Sequence, residues 1–155
     1  VLQVLVPGAD PLHKVTIIPR GQTGGATFSL PEQDRYGYNL KWLRAMMRIV
    51  CGGRIAEERE TSDVSSGAAM DIQQLTTMAR AMVLEWGMSE KLGFIRYAGA
   101  DQRESFVHDR DYSEETARII DDEIRHYADE AYHEARTILD ANWDQVIAVA
   151  DALLK

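Results

Sequence analysis

The chain is poor in cysteine: Cys51 is alone among 155 residues and falls inside an apolar helical run. That excludes a disulfide framework and a thiolate metal cluster, and it fits a reducing, intracellular setting. Long apolar runs are also missing. Nothing approaches the roughly 18 to 20 residues of a membrane-spanning helix, and the apolar residues 1–6 lack the basic flank of a signal peptide, so the chain as given is expected to be soluble. Positive charge is scarce and scattered. With 17 Lys and Arg against 25 Asp and Glu, a net of −8, nucleic acid is a poor partner. Absent as well are G-x-S-x-G, the phosphate-cradling G-x-x-x-x-G-K-[ST] and any Cys/His nucleophile arrangement.

What is present suffices for one core. A 45% hydrophobic content in 155 residues points to a single domain over residues 1–155, without internal repeats. Residues 1–6 read as the end of an apolar helix stopped by Pro7-Gly8. The β-branched run Val15-Thr16-Ile17-Ile18 predicts a short buried strand over 14–18. Beyond Gly24-Gly25, Ala26-Thr27-Phe28-Ser29-Leu30 predicts a second strand ended by Pro31, so that the two form a hairpin or neighbouring edge strands.

Helical periodicity dominates from residue 39 onward. Leu40, Leu43, Met47 and Val50, widened by Met46 and Ile49, predict one helix over 39–60. Gly52-Gly53 interrupts it at a cost of about 2 kcal/mol relative to alanine, as expected where another backbone packs closely. Ile72, Leu75, Ala79, Met82, Val83 and Trp86 share a face of a helix over 68–86 that Gly87 ends. Residues 89–112, with Gly93 and Gly99, read as an ordered connection. Ser113 then caps a long helix with Glu114 and Glu115 in its first turn. Ala117, Ile120, Ile124, Tyr127, Ala131, Ala135 and Ile138 form its seam. Asn142 and Gln145 resemble a capping box for a last helix with Trp143, Val146, Ile147, Ala150, Leu153 and Leu154 on one face. The expectation is a mainly α fold with a small β element and a C-terminal helical hairpin.

Asp71 is the strongest chemical candidate, sharing a face with Leu75, Met78 and Met82. Buried there, it needs a metal, a cation or hydrogen-bond donors; alternatively it interacts only with the amino end of its own helix, although a cap at Ser66 or Gly67 would put it a turn inside. Arg54 three residues before Glu57, with Glu58 adjacent, reads as a solvated ion pair. His126 and His133, seven apart rather than four, do not match two ligands on one helix, and His13 and His108 read as surface residues.

Five segments together resemble the peptidase domain of the FtsH family, membrane-anchored ATP-dependent zinc metalloproteases. They are Asp10-Pro11-Leu12-His13-Lys14-Val15-Thr16-Ile17-Ile18-Pro19-Arg20-Gly21, Gly52-Gly53-Arg54-Ile55-Ala56-Glu57-Glu58, Ser65-Ser66-Gly67-Ala68-Ala69-Met70-Asp71-Ile72, Trp86-Gly87-Met88-Ser89-Glu90-Lys91-Leu92-Gly93 and Ser113-Glu114-Glu115-Thr116-Ala117. The resemblance implies zinc held by two histidines of an H-E-x-x-H helix and a distant aspartate, matched here by Asp71. The glutamate of that motif activates water. By analogy the motif lies just before Val1, so the chain holds no catalytic residue of its own and is expected to be inactive alone. Met70 stands where the family often has asparagine. Ala26, Thr27, Phe28 and Ser29 match an edge strand that pairs with extended substrate, and Glu57 matches an acidic group near the metal.

The resemblance further implies unfolded polypeptide or membrane-protein substrates, a homo-hexameric ring, an ATPase module using ATP, and a membrane anchor outside this chain, at the cytoplasmic face of a bacterial inner membrane. The competing expectations are an inactive scaffold domain of the same fold and a helical interaction module without metal.

Overall fold

The computed structural model describes residues 1–19, 25–30, 37–97 and 112–155. Gly24, Pro31, Gly99 and His108, singled out above, lie outside the described residues. The elements in chain order are α1 (Leu2–Leu5), β1 (Leu12–Thr16), β2 (Ala26–Ser29), α2 (Leu40–Val50), α3 (Gly52–Thr61), a 3-10 turn (Ser66–Ala68), α4 (Ala69–Leu84), α5 (Glu114–Ala141) and α6 (Trp143–Leu153). The fold is mainly α with a two-stranded antiparallel hairpin and a C-terminal helical pair.

The core lies where α2, α3 and α4 pack against the 28-residue α5. Leu43, Met47, Ile55, Met82 and Val83 are its largest fully buried side chains. On α5 the buried stripe is Ile120, Glu123, Tyr127, Ala131, Ala135 and Leu139; its small residues let the neighbouring helices approach closely. Ser113 caps α5 by accepting from Thr116 N at 3.2 Å, as expected. Arg44 to Glu130, Arg48 to Glu134, Arg59 to Asp140 and Arg136 to Glu58 link α2 and α3 to α5 along the rim of this core.

Residues 88–92 are fastened to α5 from two directions. Tyr127 OH donates to Met88 O at 2.6 Å, and the buried Glu123 accepts from Ser89 Oγ at 2.7 Å while its other oxygen lies 2.7 Å from Lys91 Nζ. Burial pushes the Glu123 carboxyl up, but Lys91 and Ser89 outweigh it and hold the group below its ordinary value.

Several expectations are corrected. The predicted helix over 39–60 is two helices meeting at Cys51. The glycines at the joint admit side chains rather than a backbone: a Cβ on Gly52 would meet Leu2 Cδ1 at 2.8 Å, and one on Gly53 would sit 3.5 Å from Asp71 Oδ2. The first strand runs Leu12–Thr16 instead of 14–18 and is not buried, with Ile17 and Ile18 exposed. A bulge at His13 shifts its register, so Leu12 faces Ser29 while Lys14 faces Phe28. Asn142 precedes α6 and pairs with Gln145, whose Nε2 donates to Asn142 Oδ1 at 3.4 Å, but the pair is no capping box, because the Asn142 side chain accepts from no backbone N–H of α6 and its amide donates back to Ile138 O at 2.8 Å. Finally, α6 has no fully buried residue: Ile147 and Val149 stay exposed, as does Leu154 just beyond its end.

Candidate metal-binding site and substrate edge

The chain reaches Asp71 through a tightly bonded connection. Ser62, in the left-handed region at φ 56°, ends α3 by donating its N–H to Glu58 O at 2.9 Å. Thr61 Oγ1 donates to Glu57 O at 2.8 Å and accepts from Asp63 N at 3.2 Å, while Asp63 Oδ1 accepts from Val64 N at 2.7 Å. Ser65 caps the 3-10 turn by accepting from Gly67 N at 3.1 Å. That turn feeds directly into α4, which has no side-chain cap of its own. Asp71 therefore sits in the first turn of α4, one turn earlier than the sequence suggested, near the unpaired N–H groups of the helix end.

A carboxylate in that position normally gains from the helix dipole. At Asp71 burial works against that gain and pushes the carboxyl above the ordinary range. The side chain is half-buried, and neither a hydrogen bond nor an ion pair engages it among the described residues. It opens on a cavity of about 180 Å3 lined by apolar groups of Val50, Ala68, Ile72 and Leu75 together with Cys51, Arg54 and Tyr132. Cys51 stays a thiol in this arrangement: burial, then the charge of Asp71, pushes it up to about 11, and its Sγ donates to Met47 O at 3.2 Å.

Asp71 fits the zinc that the resemblance implies as one oxygen ligand. It is a half-desolvated carboxylate without a partner among the described residues, and its Oδ2 lies beside Gly53, where an added Cβ would stand 3.5 Å away. A whole site is not present among the described residues, where no three His, Cys, Asp or Glu side chains cluster closely enough to hold a metal. His13, His126 and His133 are exposed and far from forming one.

Glu57 lies on α3 on the approach to this end. Its Oε1 accepts from Ser65 Oγ and its Oε2 lies 3.9 Å from Arg54 Nη1, so it reaches Asp71 only through the connection that carries it. Ser65 and Arg54 were not marked as site residues by the sequence. A serine just ahead of a helical start is the available signal for the first, whereas nothing in spacing foretells that Arg54 Nη2 donates to Ser65 O at 2.9 Å. Ala26, Thr27 and Phe28 are exposed and Ser29 is half-buried. β2 pairs on one side with β1, and its other side has no strand partner among the described residues. No described contact ties β2 to Asp71.

No helix among the described residues is long and apolar enough to cross a membrane. Over residues 1–155 the chain matches peptidase family M41. It is 48% identical over 160 residues to the "ATP-dependent zinc metalloprotease FtsH 2" of Methylacidiphilum infernorum, covering 100% of this chain and 25% of that protein. It is 45% identical over 158 residues to the "ATP-dependent zinc metalloprotease FtsH" of Myxococcus xanthus, covering 99% and 25%, and 44% identical over 159 residues to the protein of that name from Thermobaculum terrenum, covering 99% and 24%. The chain thus spans about a quarter of the length of these relatives. A match running from the first residue to the last, joined to a helical body with a small hairpin, places the chain in peptidase family M41.

Proposed function

We propose that the chain is the peptidase portion of an ATP-dependent zinc metalloendopeptidase, with Asp71 as one of three protein ligands to zinc. The other two ligands and the water-activating glutamate belong, on the resemblance, to an H-E-x-x-H helix ahead of Val1. The observation that carries this reading is the state of Asp71: a carboxylate half out of water, with no donor and no cation to compensate it among the described residues. Unpaired desolvation is costly, and a divalent cation removes that cost. The contact of Leu2 with Gly52, beside the Gly53 that flanks Asp71, supports the placement, since it brings the first helix of the chain to the same end. Bound zinc supplies Lewis acidity toward a peptide carbonyl and water.

For substrate, Ala26 to Ser29 offer the edge of β2 that has no strand partner among the described residues. Main-chain donors and acceptors there can pair with any extended polypeptide, and exposed Phe28 adds an apolar contact. Unfolded segments are therefore the proposed substrates. The ATPase module, the membrane anchor and a ring of six copies belong to the complete protein in this proposal; the exposed Ile147 and Val149 of α6, with Leu154 just beyond it, support an assembly surface.

Asp71→Ala in the complete protein tests the reading. Loss of bound zinc and of casein cleavage, with helicity retained, is the expected result; full zinc occupancy refutes the assignment. Thr27→Pro tests the edge separately, because proline removes an N–H from the strand: cleavage of unfolded protein should fall while zinc stays bound. A parallel fall of both would make β2 structural.

A further inference from the structure

Arg54 and Asp71 line the same cavity, yet no ion pair joins them. The omission calls for a cause. A guanidinium and a half-desolvated carboxylate facing a common apolar space gain by pairing, and the flexible arginine stem makes such a move easy. The cause is visible in the bonds that Arg54 makes elsewhere. Its Nη2 donates to Ser65 O at 2.9 Å, and its Nη1 lies 3.9 Å from Glu57 Oε2. Glu57 is itself fixed, because its Oε1 accepts from the Ser65 hydroxyl, and the same hydroxyl accepts from Gly67 N. Arg54, Glu57 and Ser65 thus close a ring of contacts that spans from α3 to the entry of α4, and the side chain of Arg54 is mostly buried within it.

We propose that Glu57 and Ser65 are positioning residues that hold the Arg54 guanidinium away from Asp71 and so keep that carboxylate open to a metal cation. The inference rests on the reading of Asp71 as a ligand. Removal of Glu57 frees Arg54 from one of its two anchors. The released guanidinium then competes with the cation for Asp71, so metal affinity falls although Glu57 touches no metal. Arg54 is in this view a side chain to be restrained, whose loss is tolerated. This differs from a purely structural role for Glu57, in which taking away Arg54 as well only adds damage.

The test is zinc affinity by chelator competition on the complete protein, with far-ultraviolet circular dichroism on each variant. Glu57→Ala should weaken zinc about tenfold or more, the usual scale for a residue acting through a ligand. Arg54→Ala should stay within about twofold of the wild type, and the Arg54→Ala/Glu57→Ala double variant should recover most of the affinity lost in Glu57→Ala. If Glu57→Ala fails to fold, Glu57→Gln keeps an acceptor for Ser65 while dropping the charge, and the same order of affinities is expected with it. A double variant as weak as the single, or weaker, overturns the proposal, as does wild-type affinity in the Glu57 variants. Asp71→Ala is the separating control: if it retains zinc, the ligand reading fails; if it loses zinc while the Arg54 and Glu57 variants show no rescue, only the present inference fails.

Discussion

The two ends of α4 obey different rules. At its C-terminal end Ala79, Met82 and Val83 are fully buried against α2 and α5, and Ser89 and Lys91 beyond it are fastened to the buried Glu123. At its N-terminal end Met70 is 77% and Ile72 50% exposed, and Asp71 stands half-buried with no partner among the described residues. The C-terminal end buries its apolar face as far as Val83, with Trp86 beyond it part-exposed, and pairs Ser89 and Lys91 within the chain; the N-terminal end leaves apolar surface uncovered and its carboxylate without a partner among the described residues. Apolar surface and an uncompensated carboxylate left together at one place are what a binding end looks like, since packing alone would have covered the first and paired the second.

The contrast can be broken most forcefully from the packed end. Met82→Ala should lower unfolding free energy by about 3 kcal/mol, within the usual range for a buried methionine truncated to alanine, whereas Ile72→Ala should cost no more than about 0.5 kcal/mol; urea unfolding of the two variants checks this. Equal losses would erase the distinction.

A smaller effect is expected at Glu123. Glu123→Ala should destabilise by about 1 to 2 kcal/mol, moderated because Lys91 is largely exposed and regains water when its partner goes. Its pH dependence follows from the direction of the shift. The folded carboxyl lies below its unfolded value, so the stabilisation is complete above the unfolded value and fades as acidification passes through the folded one. The difference between wild type and Glu123→Ala should narrow accordingly in acid melts.

Asp71 should give the smallest effect, with the opposite sign. Its folded carboxyl lies above the unfolded value, so the charged form costs stability at neutral pH and the cost disappears as pH falls through the folded value. Without metal, Asp71→Asn should therefore be more stable than wild type at neutral pH by up to about 0.5 kcal/mol, with the gain vanishing on acidification. Thermal melts of the metal-free protein at two pH values suffice; a loss of stability in Asp71→Asn would mean that the carboxylate has a partner after all.

The sequence made the packed end legible because periodicity reports burial. Leu43, Met47, Ala79 and Met82 repeat at three and four and lie in the core, as do Ile120, Tyr127, Ala131 and Ala135 of the α5 seam, whereas Ala117, Ile124 and Ile138 of that seam are only half-buried. It failed where the same pattern is used without burial. Ile72 and Trp86 continue the apolar face of α4 but project past the bodies that cover its middle, and the β-branched Ile17 and Ile18 follow a strand that the body does not cover. The break at Cys51 was marked by Gly52-Gly53, yet the reason for it, Leu2 from a helix fifty residues away in sequence, is a tertiary contact that no local pattern contains. For the candidate site, the unusual placement of Asp71 was readable from its apolar neighbours. The ring of Arg54, Glu57 and Ser65 was not, because Arg54 three residues before Glu57 has the spacing of an ordinary surface pair and its bond to a backbone carbonyl leaves no trace in residue types.

The central claim is that the open end of α4 is a metal-binding end. Anomalous scattering at the zinc edge from crystals of the complete protein tests it most directly. The account predicts a zinc ion with a carboxylate oxygen of Asp71 about 2.0 to 2.2 Å away and Arg54 still bonded to Ser65. A fully occupied zinc held elsewhere, with Asp71 paired to Arg54, would contradict it.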